Sequence, residues 1–291
     1  MIDRTAHMTH DNWTTATSVA PRDLAEATLQ LHWATQFIAS AGQTFAEPRD
    51  DDSHRAMIWD GDLRAFVGDP FAGVYPFRVA VRPEDLTLML IDQTGSELGT
   101  LPLAGATRAQ GYEWLSLGMA TYLGSPPPAI EQPEYDMPEH AVGADARFSG
   151  GLETELRALT ALYDGAATLL SELAESRADA SSVLCWPHHF DIATLLTLER
   201  DEEGNATKTV GVGLAPMGGG YDEWYLYVSP WPWPASDRLP EVTGAGSWHT
   251  EGWTGVILTG EEAAALSGGA RTDTVRTFLA GAIEAATSAL T

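Results

Sequence analysis

The residues of this chain whose types and spacing could do chemistry gather in Cys185-Trp186-Pro187-His188-His189-Phe190-Asp191. These positions hold the only cysteine, two of eight histidines, a tryptophan and a carboxylate. The apolar run Ile192-Ala193-Thr194-Leu195-Leu196 follows at once, so the polar cluster stands at the mouth of a core element. In an extended chain successive side chains alternate, which puts His189 and Asp191 on one face and His188 on the other. An imidazole with a carboxylate two residues on is a metal-ligand pair or a base with its orienting acid. The candidate catalytic residues are therefore His188, His189 and Asp191. His249 and Glu251 repeat the spacing on a second segment. The set His189, Asp191, His249 and Glu251 would suffice for a divalent metal. His54, beside Asp50 to Asp52, and His140, beside Glu139, are secondary candidates.

A structural reading competes with this one. None of the spacings is a known metal signature such as HExxH or paired CxxC. Histidines also lock loops by hydrogen bonding beneath aromatic packing. His32, in mid-helix beside Trp33, reads as a satisfied core histidine, and His7 and His10 as solvated residues. Cys185 precedes a tryptophan in a strand-like stretch, where a buried thiol is inert. No serine lies in a G-x-S-x-G elbow, and there is no P-loop. Gly211-Val212-Gly213 falls inside a strand and lacks the context of a nucleotide-binding turn. Glycines at alternate positions instead open a flat strip where a ring or ligand can lie against backbone. Tyr225 and Tyr227 share a strand face, and Trp186, Trp224, Trp231, Trp233, Trp248 and Trp253 fall in the same half of the chain. Trp186, Gly211, Gly213, Tyr225, Tyr227 and Trp248 are the candidate lining of an aromatic-walled pocket.

The elements that must position these groups follow from periodicity. Residues 1–18 read as a loose leader without the apolar stretch of a signal peptide. Pro21 opens a helix whose apolar positions Leu24, Ala27, Leu31, Ala34 and Ile38 repeat at helical spacing, with Gly42 as its stop. Strand-like pieces follow near Leu63–Val67, Tyr75–Val81, Leu86–Ile91 and Leu98–Leu103, then a helix from Thr107 to Leu123. Residues 124–150 are proline-rich and read as an extended connector between an N-terminal half (19–123) and a C-terminal half (151–291). The second half opens with a strong helix, Leu152 to Ala174, and delivers the His-His pair from a short strand at Val183 to Trp186. A hairpin of Ile192–Arg200 and Thr207–Leu214 follows, then strands at Glu223–Val228 and Thr254–Leu258. Pro230-Trp231-Pro232-Trp233-Pro234 must be extended. Thr259 and Glu262 form a capping box, and Thr274 to Ala289 is a terminal helix. Both halves thus run helix, antiparallel strands, helix, as a duplication would, with His54 in the place of His188 and His189.

Composition sets the outer bounds. A chain of 291 residues with 44% hydrophobic content and ten tryptophans can bury a sizeable core. Forty-one acidic residues against sixteen basic ones give a net charge of −25, which repels phosphate backbones and anionic membranes. Nucleic acid and membrane partners are therefore excluded, and no apolar run approaches the ~20 residues that span a bilayer. One cysteine allows no internal disulfide, and cytoplasmic placement is the expectation. Lys208 is the only lysine, and the Ala, Gly and Arg richness points to a GC-rich bacterial gene.

The segments Leu31-His32-Trp33-Ala34, Asp52-Ser53-His54, Met137-Pro138-Glu139-His140, Trp186 to Asp191, Tyr225 to Pro232 and Trp248 to Trp253 together resemble a bacterial family of unknown function. The likeness runs from about residue 24 onward. It implies that the histidine-bearing segments form a single site, and it implies no substrate. Relatives carry an aspartate in the glycine turn, where this chain has Met217-Gly218-Gly219-Gly220.

The expected fold is α+β, an antiparallel sheet packed by three or four helices in two similar halves. The expected function is a small-molecule enzyme or binding protein with a His/carboxylate pocket in the second half, with or without a divalent metal. The alternative is a non-catalytic interaction protein using the Trp/Pro-rich surface. Converging histidines in a concave pocket favour the first, and joint exposure of Trp231 and Trp233 the second.

Overall fold

A computed structural model describes residues 11–124, 126, 129–266 and 269–291. His7, His10, Ser125, Pro127 and Pro128 lie outside the described residues.

Within the span 1–18 expected as a loose leader, residues 1–10 lie outside the described residues, and residues 11–17 form a packed element. Asp11 accepts a hydrogen bond from the Trp13 amide and caps a short helix, α1 (Asn12–Ala16). Trp13 is 1% exposed and lies 6.1 Å from the Trp224 ring. A lone tryptophan behind an aspartate cap was the available signal.

A single 3₁₀ turn at Pro21–Leu24 leads into α2 (Ala25–Phe45). Gly42, expected as its stop, lies inside the helix. A Cβ there would meet the His54 carbonyl oxygen at 2.4 Å, so this glycine serves close approach and not termination. The strands β1 (Ile58–Asp60), β2 (Ala65–Val67), β3 (Phe77–Arg82), β4 (Thr87–Asp92) and β5 (Glu97–Pro102) pair in simple sequence order. Thr107 and Gln110 form a capping box on α3 (Arg108–Leu123). Next come α4 (Glu153–Glu175), β6 (Leu184–Cys185), β7 (Ile192–Arg200), β8 (Ala206–Ala215) and β9 (Tyr225–Trp231). Then come β10 (Ser247–His249), β11 (Gly255–Thr259), α5 (Gly260–Ala265) and α6 (Thr272–Ala289). The six-stranded sheet has the order β10-β11-β9-β8-β7-β6, antiparallel throughout.

The fold is α+β, with two antiparallel sheets that meet at their first strands. Met57 donates to the Cys185 carbonyl at 3.0 Å and Cys185 donates back at 2.7 Å, so β1 and β6 are facing edges. One hydrophobic core runs through both halves, from Trp13 and Phe37 to Phe190 and Phe278. Cys185 is fully buried within it. The proline-rich segment lies along α2: Glu131 N–H donates to Thr44 Oγ1 at 2.9 Å, and Trp33 Nε1 donates to the Pro138 carbonyl at 3.2 Å. Among the described residues no helix is long and apolar enough to cross a membrane.

His54 does not hold the place of the His-His pair. It precedes β1, is 5% exposed, and its Nδ1 accepts from the Arg49 amide at 3.2 Å.

Candidate functional site

The link between β6 and β7 is a tight turn, not an extended strand. Trp186 N–H donates to the Asp191 carbonyl at 2.8 Å and Phe190 N–H to the Trp186 carbonyl at 2.7 Å. Closing the turn puts Phe190 at φ 59°, a left-handed conformation that costs a bulky residue about 1–3 kcal/mol. The alternation expected for His188 and His189 is lost, and both side chains reach one cavity together with Asp191.

Buried side chains from two helices hold that turn. On α2, His32 Nε2 donates to the Pro187 carbonyl at 2.8 Å and Gln36 Nε2 to the same oxygen at 2.9 Å. Tyr135, in the proline-rich segment, donates to Gln36 Oε1 at 2.6 Å and fixes its orientation. On α4, the Tyr163 hydroxyl donates to the Phe190 carbonyl at 2.7 Å. The His32 ring stacks on Phe190 at 5.1 Å with 14° between planes. The His-His tip is therefore prearranged by both halves of the chain. Thr28, His32 and Gln36 recur at four-residue spacing on a buried helix face. That polar stripe was the sequence signal for this support.

The cavity has a volume of about 470 Å³. His188, His189, Asp191 and Tyr227 supply polar groups, while Tyr225, Trp233, Trp253, Met217, Pro216 and Pro138 supply apolar wall. Gly218 and Gly219 bring the glycine turn to its edge, and Thr28 and His32 belong to the first half. Confinement to the second half is thus corrected. His188 also borders a smaller cavity of about 280 Å³, shared with Asp51, Asp52, Arg55, Tyr135 and Trp186.

The flat strip at the alternate glycines is filled by a side chain of the protein. A Cβ on Gly213 would meet the Tyr227 ring and hydroxyl at 2.7 Å, so Tyr227 lies directly across it. From there its hydroxyl donates to Asp191 Oδ2 at 2.5 Å. Gly211 has nothing closer than 3.9 Å. Trp186 packs edge-on to His188 at 6.2 Å and faces the smaller cavity, and Trp248 donates from Nε1 to the Pro240 carbonyl at 2.8 Å outside both.

The proposed metal tetrad does not assemble. His249 Nδ1 pairs with the Tyr221 hydroxyl at 2.8 Å, and its Nε2 donates to the Glu251 carbonyl at 2.8 Å. Both ring nitrogens are spent on fixing their own loop, and the Glu251 residue is exposed. Among the described residues no three His, Cys, Asp or Glu side chains come together as a metal site. His140 caps the turn Ala141–Ala144 through Nδ1 and reaches Glu26 through Nε2 at 3.2 Å.

The histidines divide into two groups. His32, His54, His140 and His249 spend ring nitrogens on protein partners. Among the described residues, hydrogen-bond partners fall to neither His188 nor His189, whose ring centroids lie 4.2 Å apart at the cavity.

Burial tunes these groups. Desolvation raises the Asp191 carboxyl above the usual carboxylate range, opposed by the Tyr227 hydrogen bond and then by His189 and His188. His188 is pushed down by desolvation and then by the charge of His189. Burial holds the Tyr227 hydroxyl well above its ordinary value, and burial followed by the Asp191 charge takes Tyr225 to about 12. Desolvation takes His32 to about 4, so it stands neutral as the donor to Pro187. The site thus offers an imidazole pair, a carboxyl that keeps its proton longer than usual, and phenols that stay protonated. Those are the parts of a general acid–base site.

Comparison with protein-family models, curated proteins and solved structures returned no match.

Proposed function

We propose that this protein binds a small, largely apolar organic molecule in the cavity at the His188–His189 turn and is equipped for acid–base chemistry on it. The observation that carries the reading is the division among the histidines. Two imidazoles without hydrogen-bond partners among the described residues sit side by side at an aromatic-walled cavity, on a turn held by His32, Gln36 and Tyr163. Polar groups left free at a concave apolar surface suit a ligand's polar end, and a locked turn lowers the entropic cost of binding. In this reading His189 and Asp191 exchange protons with the ligand, Tyr227 orients Asp191, and His188 supplies the second imidazole.

A fragment screen followed by histidine side-chain NMR tests it. Bound fragments should shift the His188 and His189 resonances and lose affinity in His189→Ala and Tyr227→Phe. Hits that bind equally well to both variants would refute the site.

A second reading rests on a separate observation. Trp231 and Trp233 are 54% and 49% exposed and stand 5.5 Å apart edge to face, next to Pro232 and Pro234. Such a patch also suits a protein partner. Trp233 lines the cavity and Trp231 does not, so Trp231→Ala should spare small-molecule binding and weaken a protein partner.

A further inference from the structure

The cavity wall combines aromatic faces with one carboxyl. Tyr225, Tyr227 and Trp253 have ring centroids 6.2 to 6.5 Å from one another, and Trp233 adds a fourth ring at the edge. Asp191 lines the same space, and no lysine or arginine is among the lining residues described. The whole chain carries a formal charge of −25, which raises the local concentration of cations and repels anions. Aromatic faces attract a cation through their quadrupoles, most strongly where water is excluded, and a buried carboxylate adds direct charge pairing.

We infer that the cavity selects a small organic cation with an apolar body, of the alkylated ammonium class, caged by the aromatic rings and paired with Asp191. This inference rests on the small-molecule reading above and narrows it to one charge class. Neutral aromatics would use the rings but leave the Asp191 charge with the Tyr227 hydroxyl alone as its partner. Anions would face both that carboxyl and the surrounding negative field.

Calorimetric titration of the full chain with three probes tests it: phenyltrimethylammonium, its uncharged isostere tert-butylbenzene, and benzoate. The cation should bind about tenfold or more tighter than the isostere, as cation–π contacts and a charge partner predict, and benzoate should bind weakest. Asp191→Asn keeps an acceptor for Tyr227, and Trp233→Leu alters a half-exposed side chain, so both variants should fold. Each should cut the cation's affinity at least about threefold, an effect within the cation–π range, and weaken tert-butylbenzene by clearly less. Equal or better binding of the isostere or of benzoate would overturn the cation assignment while leaving the cavity reading intact. So would variants that weaken the charged and uncharged probes alike. Failure of all three probes to bind would overturn both.

Discussion

Tyr163→Phe isolates one bond of the turn that presents the histidines. Tyr163 is fully buried, with its ring 4.8 Å from Phe66 and 5.0 Å from Phe190. Phenylalanine keeps those contacts and removes only the hydroxyl that donates to the Phe190 carbonyl at 2.7 Å. That carbonyl belongs to a fully buried residue, and a buried acceptor left unpaired costs about 1–3 kcal/mol. Relief of the left-handed Phe190 conformation works the other way, because a loosened turn no longer has to hold it. The expected net loss is about 2 kcal/mol, which for a chain of 291 residues lowers the melting midpoint by roughly 3–4 °C. Urea denaturation followed by circular dichroism measures the loss, and fragment titration measures its functional companion, a weaker site. Tyr75→Phe is the control: Tyr75 is 68% exposed, and its variant should stay within about 0.5 kcal/mol of the parent. If Tyr163→Phe matches that control in both stability and affinity, the turn is not held from α4 and the argument for a prearranged site fails.

The two alternate glycines should part company. Gly213→Ala drives a methyl into the Tyr227 ring and the Ile192 carbonyl, each 2.7 Å away, and should cost about 1–3 kcal/mol and break the Tyr227–Asp191 bond. Gly211→Ala meets nothing closer than 3.9 Å and should be neutral or slightly stabilising in the same thermal melts. Acid titration should expose His32. Its folded value of about 4 lies below its ordinary 6.5, so the unfolded chain takes up the proton first. Its contribution is complete above pH 6.5 and lost as pH falls through 4, worth about 3 kcal/mol, and His32→Gln should flatten that limb of the stability curve. Asp191 has the opposite sign. Its folded carboxyl is raised, so stability falls as pH climbs from the ordinary carboxyl range through the raised value. Asp191→Asn should gain on the parent from acid to neutral pH, and a parallel pair of curves would refute the assignment. Dialysis against EDTA should leave the melting midpoint unchanged, since the His189, Asp191, His249 and Glu251 set does not converge; a clear fall would restore the metal reading.

Elements with a strong period were legible in the chain. The spacing of Leu156, Leu159, Leu162, Leu169 and Leu170 places α4 to within a residue, and the Thr259–Glu262 capping box opens α5 as expected. Other local signals have distant causes. Gly42 looked like a helix stop because its partner, the His54 carbonyl, is distant in sequence. Gly213 looked like a landing strip for a ligand because Tyr227 comes from the next strand in the sheet. Strand geometry carried up to Asp191 puts His188 and His189 on opposite faces, whereas the backbone reverses at Phe190. In each case a partner brought in by tertiary structure decided the role.

The same logic explains why no single segment could announce the site. His188, His189 and Asp191 come from the second half, but the groups that hold their turn include His32 and Gln36 from the first. Met57 and Cys185 join the two sheets at the edge next to that turn. The His-His tip thus stands where the halves are stitched together, and its geometry depends on both packing correctly. Among the histidines, a free imidazole can be told from a spent one only after every nitrogen has been offered its partners. That accounting leaves His188 and His189 at the cavity and assigns His32, His54, His140 and His249 to holding the frame.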